Sequence, residues 1–116
     1  MKIFMIGPVR NITTEEEKLI KKYVYDLKDA GHQVHWSVED VDQNDPIGYR
    51  ICSDNRRGME NCDEVHVWWN QTSQGSLFDL GMAFAMRKKI VFSNKESFER
   101  TLTKSFTNVL FQLDAE

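Results

Sequence analysis

The sequence predicts a three-layer α/β sandwich on a doubly wound, mainly parallel sheet of four to five strands. Three observations carry that prediction. Short apolar runs, KIFMI, QVHWSV, EVHVWW and KIVFS, recur along the chain. Segments with apolar residues at helical spacing separate them. Strands that alternate with helices pair in parallel, and the crossover helices cover both faces of the sheet. At 116 residues the chain reads as one domain, residues 1–116, long enough to bury a core.

The elements follow in order. KIFMI ends in Gly7-Pro8 and suits a buried strand. After the GPVRN loop, Thr13 or Thr14 with Glu16 or Glu17 three residues on has the form of a capping box. Leu19, Ile20, Tyr23, Val24, Leu27 and Ala30 then keep helical spacing, and Gly31 is placed to stop the helix. QVHWSV predicts the second strand, followed by the polar loop EDVDQND. Asp45-Pro46 reads as an N-cap with proline at the first helical position, and Ile47, Ile51, Asn55 and Met59 share a face up to about Asn61. EVHVWW is the third strand. Gly75-Ser76 is expected to open a helix apolar nearly all round, hence buried. KIVFS is the fourth strand, and the tail predicts one or two helices restarting at Ser105.

Composition narrows the function classes. Apolar residues at 41% and charged residues at 28% fit an ordinary soluble protein. A net charge of −3 gives no electrostatic footprint for nucleic acid, although a single nucleotide needs only a local basic group. Cys52 and Cys62 have neither zinc nor redox-pair spacing and read as reduced thiols of a cytoplasmic protein. His32, His35 and His66 are scattered, so no metal centre is expected. No apolar run reaches membrane-spanning length, and no membrane partner is expected.

In parallel sheets ligands bind beyond the carboxyl ends of the strands, which singles out the loops GPVRN, EDVDQND, NQTSQGS and SNKES. A GxGxxG motif after the first strand is missing, which argues against the usual dinucleotide site. Asp79 lies just past the third loop, among Leu77, Phe78, Leu80 and Met82. It has two readings: the acid of a capping box opened by Ser76, or a carboxylate aimed into the crevice as nucleophile or base. Likewise TSQGS, with Ser73, Gly75 and Ser76, is either a polar connection or a cradle for an anion. Asp63 fits the strand entry. Trp68 and Trp69 must point to opposite faces. His35 and Trp36 end the second strand on the ligand side, where they pack or touch a base.

These residues resemble a family. KIFMIGPVR, NCDEVHVWWN and above all SQGSLFDLGMAFAMRKKI look like the nucleoside 2-deoxyribosyltransferase superfamily, which includes deoxynucleoside 5′-monophosphate N-glycosidases. The likeness runs from Lys2 to about Val91 and on toward the tail, and its signature is Gly75, Asp79 and Gly81 with a small residue nearby. It implies a flavodoxin/Rossmann-like fold, dimers or larger assemblies, and no cofactor. The implied chemistry is cleavage of an N-glycosidic bond through a covalent glycosyl-carboxylate, resolved by a second base or by water.

By position, the resemblance makes Asp79 the nucleophile and Ser73 a phosphate-binding residue where the transferases carry an aspartate. It places Gly7, Pro8, Val9 and Arg10 around base and sugar. Gly75 and Ser76 belong to the same turn. Ser105 is the candidate for a second phosphate-side serine given by a neighbouring subunit. The sequence departs from the pattern twice: Asp79 replaces a glutamate, and Asn55, with Asp54 beside it, falls where an aspartate handles sugar or proton. The ligand implied is a nucleoside or nucleotide. A nucleotide sensor without turnover is the alternative.

Overall fold

The computed structural model describes residues 1–116. Four strands, β1 (Lys2–Ile6), β2 (Gln33–Trp36), β3 (Glu64–Val67) and β4 (Lys89–Phe92), form one parallel sheet in the order β2-β1-β3-β4. The order reverses at β1, so the crevice beyond Ile6 and Val67 is the switch point at which such sheets bind ligands. Helices α1 (Thr14–Asp29), α2 (Ser37–Asp40), α3 (Tyr49–Glu60), α4 (Gln74–Ala85) and α5 (Phe106–Ala115) make the connections and the tail, with a 3-10 turn at Lys95–Ser97.

Alternation along the strands builds two cores. Ile3 and Met5 of β1 pack with Val34, Trp36 and the inward residues Ile20 and Val24 of α1. Phe4 and Ile6 face the other way, with Val65, Val67, Ile90 and Phe92, under Met59 of α3, Leu80 and Ala83 of α4, and Leu110 of α5. Each fully buried side chain of this size contributes about 1.5–3 kcal/mol, so these clusters are the main attachment of the helices to the sheet. Trp68 joins the first cluster and Trp69 the second, as the strand period requires.

Polar contacts fix the sheet margins. Tyr23 of α1 lies 2.6 Å from His66 Nδ1, and the other ring nitrogen lies 3.0 Å from Glu64 Oε1, while Lys89 approaches Glu64 Oε2 at 3.4 Å. Burial, with the charges of Glu64 and Asp114, pushes the Tyr23 phenol up to about 12. On the β4 edge, Asp114 Oδ1 of α5 accepts the outward Phe92 N–H at 2.8 Å, which blunts that edge.

Four expectations need correction. The second strand stops at Trp36: Ser37–Asp40 coils into one helical turn because Asp40 Oδ2 accepts the Trp36 N–H at 2.8 Å. Asp45 and Pro46 do not begin α3. The helix starts at Tyr49, after Gly48 in the left-handed region (φ 87°), and Asp45 caps it from a distance by accepting N–H bonds from Ile47, Arg50 and Ile51. Helix α4 opens at Gln74 rather than Gly75, because Ser73 Oγ, not Ser76, takes the capping role by accepting Ser76 N–H at 3.2 Å. Nor is α4 buried all round: Phe78 is 58% exposed and Phe84 61%. Its apolar composition exceeds what the sheet can cover. In the tail Ser105 caps α5, its Oγ accepting Asn108 N–H at 3.0 Å.

Candidate active site

Helix α4 sets Asp79 in its second turn, one step before Leu80, which points into the sheet. The N-cap is Ser73, so Asp79 is too far along to reach the free amides of the first turn, and its carboxylate makes no hydrogen bond or salt bridge. The capping reading of Asp79 is therefore replaced by a partly buried, unpartnered acid. Burial alone, with no compensating donor, pushes its pKa up to about 7. Its charge also helps raise the Cys52 thiol, second to burial, so Asp79 overlooks the seam between α3 and α4.

The turn before it is rich in unused donors. Ser73 accepts one bond through Oγ, which leaves its hydroxyl proton free to donate. Ser76 is buried, and its Oγ has no partner, an arrangement that ordinarily costs about 1–3 kcal/mol. The Gln74 and Gly75 N–H groups head the helix without acceptors, and the space a Gly75 Cβ would take is open. Hydroxyls, amides and the positive end of a helix dipole suit an anion.

Across the seam, Asn55 of α3 is buried, with Oδ1 3.4 Å from His35 Nε2. The His35 ring stacks on Phe4 at 4.9 Å and lies against Gly58, where a Cβ would come within 2.8 Å of Nδ1. Asp54 points elsewhere. It pairs with Arg50 at 2.7 Å and Arg57 at 3.6 Å on the outer side of α3, so Asn55 and not Asp54 occupies the inner face. At the end of β1, Gly7 packs beside Trp68 and Pro8 is buried, while Val9 and Arg10 are exposed. Ser105 is partly buried at the head of α5.

Cys52, His35 and Gly58 were not placed with Asp79 and Asn55 by the sequence pattern, although Cys52 and Asn55 differ by three positions and so share a helix face. Cavities of about 300 and 450 Å³ lie away from Asp79, the first beside Gln33, His35 and Asn61 and the second beside Phe84 and Leu113. No cluster of three or more His, Cys, Asp or Glu side chains converges as for a metal ion. No helix is long and apolar enough to cross a membrane.

No family model matches the sequence, and no curated protein matches it. Solved structures do. The 2-deoxyribosyltransferase of the psychrotolerant bacterium Bacillus psychrosaccharolyticus superposes with TM-score 0.72 at 17% identity, over 95% of this chain and 90% of that one. The CMP N-glycosidase BcmB of Clostridium botulinum superposes with TM-score 0.59 at 17% identity, over 99% and 98% of the two chains. This chain has the fold of these two glycosyl-cleaving or glycosyl-transferring proteins over nearly its whole length, the fold that the sequence resemblance implied.

Proposed function

We propose, starting from that shared fold, that the chain cleaves the N-glycosidic bond of a nucleoside 5′-monophosphate, or transfers its 2-deoxyribosyl group, with Asp79 as the nucleophile. The observation that carries this reading is the Asp79 carboxylate, partly buried at the switch-point end of the sheet with nothing to hold it. In the reaction one carboxylate oxygen attacks C1′ as the bond to the base nitrogen breaks. The base departs with the bonding pair and takes a proton from solvent. Water or a second base then attacks C1′ and frees the carboxylate. Burial keeps the acid poorly solvated and so more nucleophilic once ionised.

Ser73, Ser76 and the Gln74 and Gly75 amides receive the phosphate, with Arg10 as the exposed cation of the neighbouring loop. Gly7, Pro8 and Val9 wall the base and sugar, and Asn55 offers an amide to a sugar hydroxyl. The reading includes a cytoplasmic homodimer or higher assembly in which Phe78 and Phe84 of α4, with Phe106 and Val109 of α5, meet a second copy. Ser105 is then offered to the neighbour's phosphate.

The alternative is a nucleotide sensor of the same fold. It is favoured by the shorter side chain of Asp79 and by a carboxyl that is half protonated near neutral pH. A panel of nucleosides and nucleoside monophosphates, followed by chromatography of free base, separates the two. Release by wild type, lost in Asp79→Ala, is expected. Saturable thermal stabilisation by a nucleotide without any base release would replace the enzyme with the sensor.

A further inference from the structure

The loop that carries Ser73 departs from a point held by one buried amide. Asn94, two residues past β4, is 9% exposed. Its Oδ1 accepts the Trp69 N–H at 2.8 Å, and its Nδ2 donates to the Trp69 carbonyl at 3.0 Å. The backbone ladder between β3 and β4 ends just before, where Ser93 N–H donates to the Val67 carbonyl at 2.9 Å. The main chain turns away at Asn94 into the Lys95–Ser97 turn, and the side-chain amide stands in for the peptide unit that a longer β4 would have supplied. The same Trp69 donates its indole N–H to Thr107 Oγ1 of α5 at 3.0 Å, also buried.

Only Asn70, Gln71 and Thr72 separate Trp69 from Ser73. Asn70 holds that short span from the other side: its Nδ2 donates to Glu16 Oε1 at 3.2 Å, and its Oδ1 accepts from Thr72 N–H at 3.0 Å and Thr72 Oγ1 at 2.7 Å. Only these three residues lie between the Asn94 anchor at Trp69 and the Ser73–Ser76 turn, so the position of Trp69 sets where that turn begins. An aspartate at position 94 would still accept the Trp69 N–H, but it would set an oxygen against the Trp69 carbonyl with no proton between them.

We propose that Asn94 is a positioning residue that sets the preference for a 5′-phosphate over a 5′-hydroxyl, acting through Trp69 on the Ser73–Ser76 turn. This rests on the function proposed above. The residue touches no substrate. Its effect falls on the phosphate end, because that end of the site is built from the loop Asn94 anchors, whereas Asp79 sits a turn deeper in α4.

The test compares wild type, Asn94→Asp and Asn94→Gln on a nucleoside 5′-monophosphate and the matching nucleoside. In Asn94→Asp the ratio of kcat/KM for the monophosphate to that for the nucleoside is expected to fall about 10-fold or more. The fall is carried by KM of the monophosphate, with kcat moving less than about 3-fold. Amide exchange gives the companion reading: Thr72 and Ser76 exchange at least about 10-fold faster in Asn94→Asp while Ile20 and Val24 in α1 keep their protection. Asn94→Gln, which retains both functions of the amide, recovers part of the ratio. An equal loss on both compounds, or unchanged exchange at Thr72 and Ser76, overturns the proposal. If wild type releases no base, the same ratio is read from the two dissociation constants. A wild type that neither cleaves nor binds either compound refutes the function itself, a result distinct from an active wild type whose phosphate preference ignores position 94.

Discussion

Helices α1 and α4 are built from the same parts with opposite results. Both open on a side-chain hydroxyl cap, Thr13 to Glu16 N–H and Ser73 to Ser76 N–H. Both close with the same pair of bonds, Gly31 N–H to Lys28 and His32 N–H to Leu27 in one, Arg87 N–H to Phe84 and Lys88 N–H to Ala83 in the other. In α1 the choices at both ends agree: Glu15, Glu16 and Glu17 favour the N-terminus, Lys28 the C-terminus, and a glycine occupies the left-handed stop at φ 97°. In α4 the first and last turns carry no helpful charge, Ser76 Oγ and Asp79 lack partners, two phenylalanines face outward, and arginine is forced to φ 57°. Local conflicts concentrated in one element are what a binding or catalytic element shows when function opposes stability.

The contrast can be broken at Asp79 with the largest effect. Asp79→Asn should abolish base release and at the same time stabilise the fold by up to about 4 kcal/mol at pH 8. The sign follows from proton counts. The unfolded chain loses the Asp79 proton near pH 4 and the folded chain near 7. Between those values the folded state holds more protons, so wild-type stability falls as pH rises through that window and levels off above it. The advantage of the variant should therefore be absent near pH 4 and complete above 7, as urea unfolding at several pH values would show. Base release by wild type should rise over the same span, since attack needs the ionised carboxyl. No equivalent substitution in α1 is expected to gain stability.

A smaller effect is expected on the outer face. Phe78→Ser with Phe84→Ser should change unfolding free energy of the isolated chain by no more than about 1 kcal/mol each, since more than half of each side chain is already in water. It should convert an assembled wild type to monomer in light scattering. A wild type that is already monomeric removes the assembly from the proposal. The finest comparison lies at the two helix stops. Arg87→Gly should stabilise by about 1 kcal/mol and Gly31→Ala should destabilise by about the same, because only glycine takes positive φ without strain. Denaturant midpoints with unchanged slopes would report both.

Where the sequence speaks through local pattern, the fold is legible in it. KIFMI, the α1 pattern with its cap and glycine stop, the opposed tryptophans and the restart at Ser105 all rest on repeating geometry that a one-dimensional string preserves. The missed features depend on contacts distant in sequence. Asp40 bends the end of β2 only because an edge N–H is free there, and Asp45 caps α3 from outside it by folding back. Ser73 and Ser76 both begin cap-like patterns, and the choice between them lies in the turn that precedes the helix. The exposed side of α4 was hidden because composition records how apolar a helix is, not how much sheet lies beneath it. Asn94, in a loop already singled out, looks like any turn residue until Trp69 is seen in front of it.

The central claim is that the Asp79 carboxylate attacks the sugar. Acid quenching during turnover of a nucleoside 5′-monophosphate, followed by mass analysis of the peptide spanning α4, tests it directly. A sugar-phosphate ester on Asp79 in wild type, absent from Asp79→Asn, is the predicted result. Base released by Asp79→Asn at the wild-type rate, with no adduct at that position in either protein, would contradict it.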